Sequence, residues 1–192
     1  HYYGEKAPGS SFLGIPVYLV FKHTIGRPLT DLALPRLASN PAVAETLFEG
    51  GTGLLEDKVY AALALYFVTF ITVSLPSALL GLLVYRFLGV VSDSVLHKAL
   101  LTLAYGLATI VFPYSGAYYG HQITAVLLFV AFWLIFRVVR SEIGTGYLIL
   151  AGFLMGYSVI TEYPTVFPAG ALFFYALYAL KDKRQAAWMV LG

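Results

Sequence analysis

The sequence contains no cysteine, which excludes disulfides, Cys-ligated zinc and thiol catalysis. The compartment stays open, since an extracytoplasmic protein need not carry disulfides. Charge is scarce too. Asp, Glu, Lys and Arg make up 11% of the chain, against about 25% in an ordinary soluble domain. The net charge of +2 rests on scattered basic residues, without the stripe that nucleic-acid binding requires, so nucleic acid is excluded as a partner. Internal repeats, heptad runs and low-complexity segments are absent. Gly51-Thr52-Gly53 lacks the Gly-Lys-Ser/Thr ending of a phosphate-binding loop and reads as a hinge. No Met opens the chain, and it ends inside an apolar stretch. It therefore reads as a fragment cut at both ends.

What the chain has is apolar residues, 59% of the total, with a mean hydropathy of +0.79. They fall in blocks rather than narrow stripes, and the solvent they match is lipid. A spanning helix takes about 20 mostly apolar residues. Five blocks meet that need: 59–88, 96–112, 123–139, 143–160 and 164–180, with the start of another at 186. Pro76 inside the first predicts a kink or steep tilt. Asp93 and Ser94 are suitable caps for the second. Gly152 and Gly156 form a small-xxx-small pair that admits a close neighbour. The expected fold is all-α, a polytopic transmembrane helix bundle.

Lysine and arginine set the orientation. Arg86 and Lys98 flank one connection, Arg137 and Arg140 the next, and Lys181, Lys183 and Arg184 a third. The connections 113–122 and 161–163 carry neither residue. By the positive-inside rule the basic connections are cytoplasmic and the others face out. Residues 1–58 then form the end of the first external loop. Within it the apolar stretch 11–21 is eleven residues long, about 16 Å of helix, too short to cross. It is expected to be re-entrant or interfacial. A second short helix is signalled by Asn40 as cap, Pro41 behind it and Gly50-Gly51 as stop. Val43, Ala44, Leu47 and Phe48 share one of its faces and would lie on the bilayer.

Three polar clusters share the outer side: residues 1–11, 113–122 and 161–164. Ionisable groups at membrane depth are costly and often functional. Tyr3, Lys6, Tyr118, Tyr119, His121 and Glu162 are the substrate-binding candidates, with Tyr114 beside them. Each also has a plainer reading. Lys6 suits a solvated loop, and the tyrosines an interfacial aromatic belt. His121 and Glu162 suit helix ends. No nucleophile triad or multi-ligand metal motif is present, so spacing alone names no reaction.

The run Tyr3-x-x-Lys6-Ala7-Pro8-Gly9-Ser10, followed by a short apolar stretch and a long polar loop, resembles the GT-C class of membrane glycosyltransferases. The resemblance is to the bacterial branch related to protein O-mannosyltransferases and the lipid A aminoarabinose transferase. The helix pair joined by 113–122, with His121 opening its second member, and the Gly152-x-x-x-Gly156 helix ending in Thr161-Glu162-Tyr163 are similar to later parts of that family. The resemblance implies transfer of a sugar from a polyprenyl-phosphate donor to a lipid, glycan or protein acceptor on the extracytoplasmic side of the cell membrane. It implies that Lys6 holds the donor phosphate, as a flexible point charge. It also implies an acidic catalytic residue early in the external loop, which would lie before His1. Where some relatives have an acidic residue at the start of the next helix, this chain has His121. A neutral imidazole can ligate a divalent cation but does not replace a carboxylate's charge, so no cofactor is assigned. The rival reading is a transporter or flippase for a lipid or small solute, in which broken helices gather polar groups near the midplane. A structural or assembly subunit is the third, favoured if the outward clusters are scattered.

Overall fold

The computed structural model describes residues 7–192. Among them every regular element is helical. The elements are α1 (Gly9–Thr24), α2 (Gly26–Ala38), α3 (Pro41–Ala44), α4 (Glu56–Thr69), a π-helical turn Phe70–Ser74, α5 (Leu75–Leu88), α6 (Val95–Leu107), α7 (Val111–Ser115), α8 (Gly120–Val139), α9 (Tyr147–Thr161), a 3-10 turn Tyr163–Thr165, α10 (Val166–Ala179) and a 3-10 stretch Lys183–Val190. Two of these runs, Glu56–Leu88 and Gly120–Val139, are long and apolar enough to cross a membrane.

The bundle is built on α8, α9 and α10. Ala131, Ile135, Leu148, Ala151 and Ala176 are fully buried where these helices meet. The small side chains bring the backbones close. Gly152 faces the backbone of Met189, and a methyl group there would stand 2.7 Å from the Met189 carbonyl carbon. Gly156, by contrast, has open space beside it. Of the expected small-residue pair, one glycine is used. The partner is the 3-10 stretch rather than a long helix, so the expected span start at 186 is a compact turn against α9 and α10. Asp182 caps that stretch through the Arg184 amide at 3.0 Å.

α5 joins the bundle through an aromatic contact. The Phe87 ring lies 5.4 Å from Phe132, 5.8 Å from Trp133 and 5.8 Å from Phe136. At its other end the Ser74 hydroxyl donates to the Ser115 carbonyl at 2.7 Å. Since Ser115 precedes α8 and Phe132 lies well along it, α5 and α8 run in the same direction. α6 returns beside α5, started by Ser94, whose side chain accepts from the His97 amide at 3.3 Å. It ends at Leu107 rather than continuing to 112, and a separate short α7 follows.

The N-terminal part departs further from expectation. α1 is a 16-residue helix, not an eleven-residue segment, because Pro16 removes a single backbone bond without ending it. It continues at Ile25 into α2, and both pack on α4. Phe21 is fully buried there, with its ring 5.5 Å from those of Tyr60 and Phe67. α3 is a single turn of four residues, capped by Asn40 through the Ala42 amide at 3.0 Å. It ends at Ala44, before the expected Gly50-Gly51 stop. Gly50 and Gly53 take φ of +75° and +70°, values that glycine adopts without strain.

The accessible surface is 12531 Å², whereas a water-soluble monomer of 21.0 kDa exposes about 9000 Å². Much of the excess is apolar: Leu65, Tyr66, Leu82, Leu100, Leu103, Phe167 and Tyr178 are all more than half exposed.

Candidate functional site

The polar clusters meet where the α1–α2–α4 lobe joins the bundle. Three glycines make the approach. A methyl group on Gly9 would collide with the Thr161 side chain and stand 2.7 Å from the Ile160 carbonyl oxygen. One on Gly14 would meet the Tyr118 hydroxyl, and one on Gly120 would lie 2.8 Å from Glu162 Oε1. Two phenols tie the lobe down. Tyr118 donates to the Ser10 carbonyl at 2.6 Å, and Tyr157 donates to the Gly9 carbonyl at 2.8 Å. Burial pushes the Tyr118 phenol above the usual tyrosine range, and the nearby Tyr157 adds to the effect.

His121 opens α8 and Glu162 closes α9. The two helices form a hairpin through a short connection, so these ends stand at the same level. Nδ1 of His121 lies 2.6 Å from Oε1 of Glu162. The imidazole is 58% exposed and the carboxylate 24%. The extended backbone of Glu162, φ −151° and ψ 114°, turns the chain there. Its carbonyl accepts from the Thr165 amide at 3.0 Å and from the Thr165 hydroxyl at 2.7 Å. The carboxylate also lies beside Gly120 at the amino end of α8, where the preceding Tyr119 supplies no side-chain cap. A negative charge is favoured at that position. Glu162 thus stands at the amino end of α8 as well as at the start of the turn that follows α9.

The chemical consequence lies in the tautomer. A carboxylate 2.6 Å from Nδ1 requires the proton on that nitrogen, which leaves Nε2 of the neutral ring as the basic one. Two phenol rings flank it. Tyr114 is edge-on to His121 at 5.2 Å, and Tyr119 is stacked with it at 6.4 Å. Behind these, Thr124, Ser158, Thr161 and Thr165 are buried, and each hydroxyl donates to a carbonyl of its own turn. Gln122 is also buried, and among the described residues its Nε2 has no hydrogen-bond partner.

Comparison of the chain with protein families, with curated proteins and with solved structures gives no match.

Of the residues singled out in the sequence, His121, Glu162, Tyr114 and Tyr119 come together, and Tyr118 sits beside them as a tether. Lys6 and Tyr3 lie outside the described residues. Sequence reasoning missed Tyr157 and Gly14, and it gave Gly9 and Gly120, which lie within the quoted clusters, no contact role. Tyr157 lies one turn before Thr161 on a helix whose end was already marked, which was the available signal. Among the described residues no three His, Cys, Asp or Glu side chains gather as a metal site.

Proposed function

We propose that the chain is the membrane-embedded part of a GT-C type glycosyltransferase. It moves a sugar from a polyprenyl-phosphate donor to an extracytoplasmic acceptor. The observation that carries this reading is convergence: segments 8–14, 114–121 and 157–162 meet at one end of the bundle around an exposed imidazole held by a carboxylate. A scattered arrangement would have favoured a structural subunit. The apolar excess of exposed surface supports a multi-pass protein of the cell membrane, and the positive-inside pattern supports an extracytoplasmic site.

In the transfer the bond between the anomeric carbon and the phosphate oxygen breaks, and one to the acceptor oxygen forms. Polyprenyl phosphate leaves with the electron pair, and the acceptor proton passes to a base. Lys6, three residues before Gly9, is at most about 11 Å of chain from it. The resemblance gives Lys6 the donor phosphate, a task that suits a flexible point charge. Nε2 of His121 suits the same task as a hydrogen-bond partner. The transporter reading has one point in its favour, the interruption of Glu56–Leu88 by a π-helical turn. Against it, the ionisable site residues gather at one end of the bundle.

The test is a transfer assay on the intact protein in membranes, with radiolabelled polyprenyl-phosphate sugars and an acceptor extract. Label entering acceptor, and lost in Lys6→Ala with folding unchanged, is the expected result. Folded protein that transfers from no polyprenyl-linked donor would return the assignment to a transporter.

A further inference from the structure

An apolar groove of about 380 Å³ runs between α5 and α8, with none of the site residues described above in its lining. Pro76, Leu79, Leu83, Val126 and Val130 line it, and Arg86 stands at its end. From Pro76 to Arg86 is ten residues of helix, about 15 Å, or half of the roughly 30 Å hydrocarbon thickness of a bilayer. The groove thus has the depth of one leaflet. Its polar end matches. Arg86 is exposed in the last turn of α5, and among the described residues it takes part in no ion pair. Lys98 joins it at that end, with its ammonium 5.3 Å from the Tyr85 ring centre. The connecting segment 89–94 carries one carboxylate, Asp93. Two cations against one carboxylate, at the mouth of an apolar slot one leaflet deep, fit an amphiphile with an anionic head.

We propose that this groove binds an anionic glycerophospholipid of the leaflet on the Arg86 side, with an acyl chain between α5 and α8 and the phosphate on Arg86. The proposal rests on the membrane part of the preceding reading and is independent of sugar transfer. Along α8 the lining residues Val126 and Val130 lie about 8 and 14 Å from His121, while the charged end at Arg86 lies towards the basic connections, and it is this end that takes the lipid phosphate.

The experiment uses the full chain in phosphatidylcholine vesicles doped with spin-labelled phosphatidylglycerol or spin-labelled phosphatidylcholine, and reads the motionally restricted fraction. A roughly fivefold preference for the anionic lipid is expected, the effect of one well-placed cation near a membrane surface. Arg86→Gln is expected to bring the preference close to one. Leu83→Trp, which fills the slot, lowers restriction of both lipids. Arg137→Gln, a cation on the same side but outside the groove, leaves the preference intact. Protein that floats with the vesicles yet shows no preference, or loses as much of it in Arg137→Gln as in Arg86→Gln, overturns the lipid site alone. Protein that does not float with the vesicles overturns the membrane reading and the lipid site with it.

Discussion

Both halves of the helix Glu56–Leu88 are apolar, yet different neighbours bury them. α4 packs against α1 and α2, while α5 packs against α6 and α8. The change of partners falls on the π-helical turn Phe70–Ser74, just before Pro76. Proline has no amide to donate to the residue four back, and its ring crowds that carbonyl. A widened turn upstream accommodates both effects, and it rotates everything before it by one residue's worth of helix. The π turn is therefore the hinge that aims α4 at the lobe while α5 stays in the bundle. Hydropathy reports that a segment prefers apolar surroundings. It does not report whose.

Removing the extra residue is the most severe way to break this comparison. Deleting Ile71 would restore an α-helical turn and swing α4 about 100° around its axis. Val68 would leave Gly14, and Tyr60 and Phe67 would leave Phe21. Loss of transfer activity is expected, with limited proteolysis cutting within 7–58 while 120–192 stays protected. Equal protection of both regions would mean that the lobe and the bundle do not depend on the register of that turn.

Next in size are the glycines at the junction. At Gly9 the obstacle is the backbone of Ile160 and Thr161, which cannot step aside. Gly9→Val is expected to cost about 2–3 kcal/mol, the upper part of the overpacking range, seen as a lower thermal midpoint in detergent. At Gly14 the obstacle is the far end of the Tyr118 side chain, which can swing, so Gly14→Ala should cost less. Gly81 lies in α5 with open space beside it. There Gly81→Ala should be neutral or gain up to about 1 kcal/mol from helix propensity. A Gly9 variant as stable as the Gly81 one would remove the close junction from the account.

A smaller effect on folding, but a clear one on function, is expected from the His121–Glu162 pair. Glu162→Gln keeps an oxygen near Nδ1 and loses the charge that fixes the tautomer. Both side chains are partly exposed, so the thermal midpoint should barely move. Transfer should fall by roughly a hundredfold if His121 handles a proton, and Glu162→Asp should recover part of it. Unchanged transfer in Glu162→Gln would return the pair to a helix-end role.

How much of this was legible beforehand differs between the two regions. The helices 123–139 and 143–160 were close to α8 and α9 because each is a single apolar run with polar ends. The alternation of lysine and arginine between connections groups the three clusters, and the described parts of them do meet at one end of the bundle. The pairing of His121 with Glu162 is not legible in the local sequence. It follows from hairpin geometry rather than local pattern, and only the short connection 140–146 hinted that the two ends would meet. The lobe was less legible. The apolar run 11–21 argued only for a short re-entrant or interfacial segment, whereas α1 runs over Gly9–Thr24 and packs on α4. Contacts made across long stretches of chain leave little trace in a local window.

The smallest expected effect tests the tether itself. Tyr118 donates to Ser10 across the junction at 2.6 Å, and Tyr118→Phe removes that bond while keeping the ring. About 1 kcal/mol is expected for one hydrogen bond of this kind. The pH dependence gives the sign. Burial raises the folded pKa of this phenol above its ordinary value, which is about 10 in an unfolded chain. Folding therefore favours the neutral donor. Its contribution is complete below that unfolded value and is lost as pH rises through the higher folded one. Wild-type protein should thus lose stability in that alkaline window more steeply than Tyr118→Phe, which has no phenol to ionise there. Tyr157 remains in both, so the difference between the two curves isolates the Ser10 tether. Parallel curves would mean that the lobe is held by the glycine contacts and the Tyr157 bond to Gly9 alone.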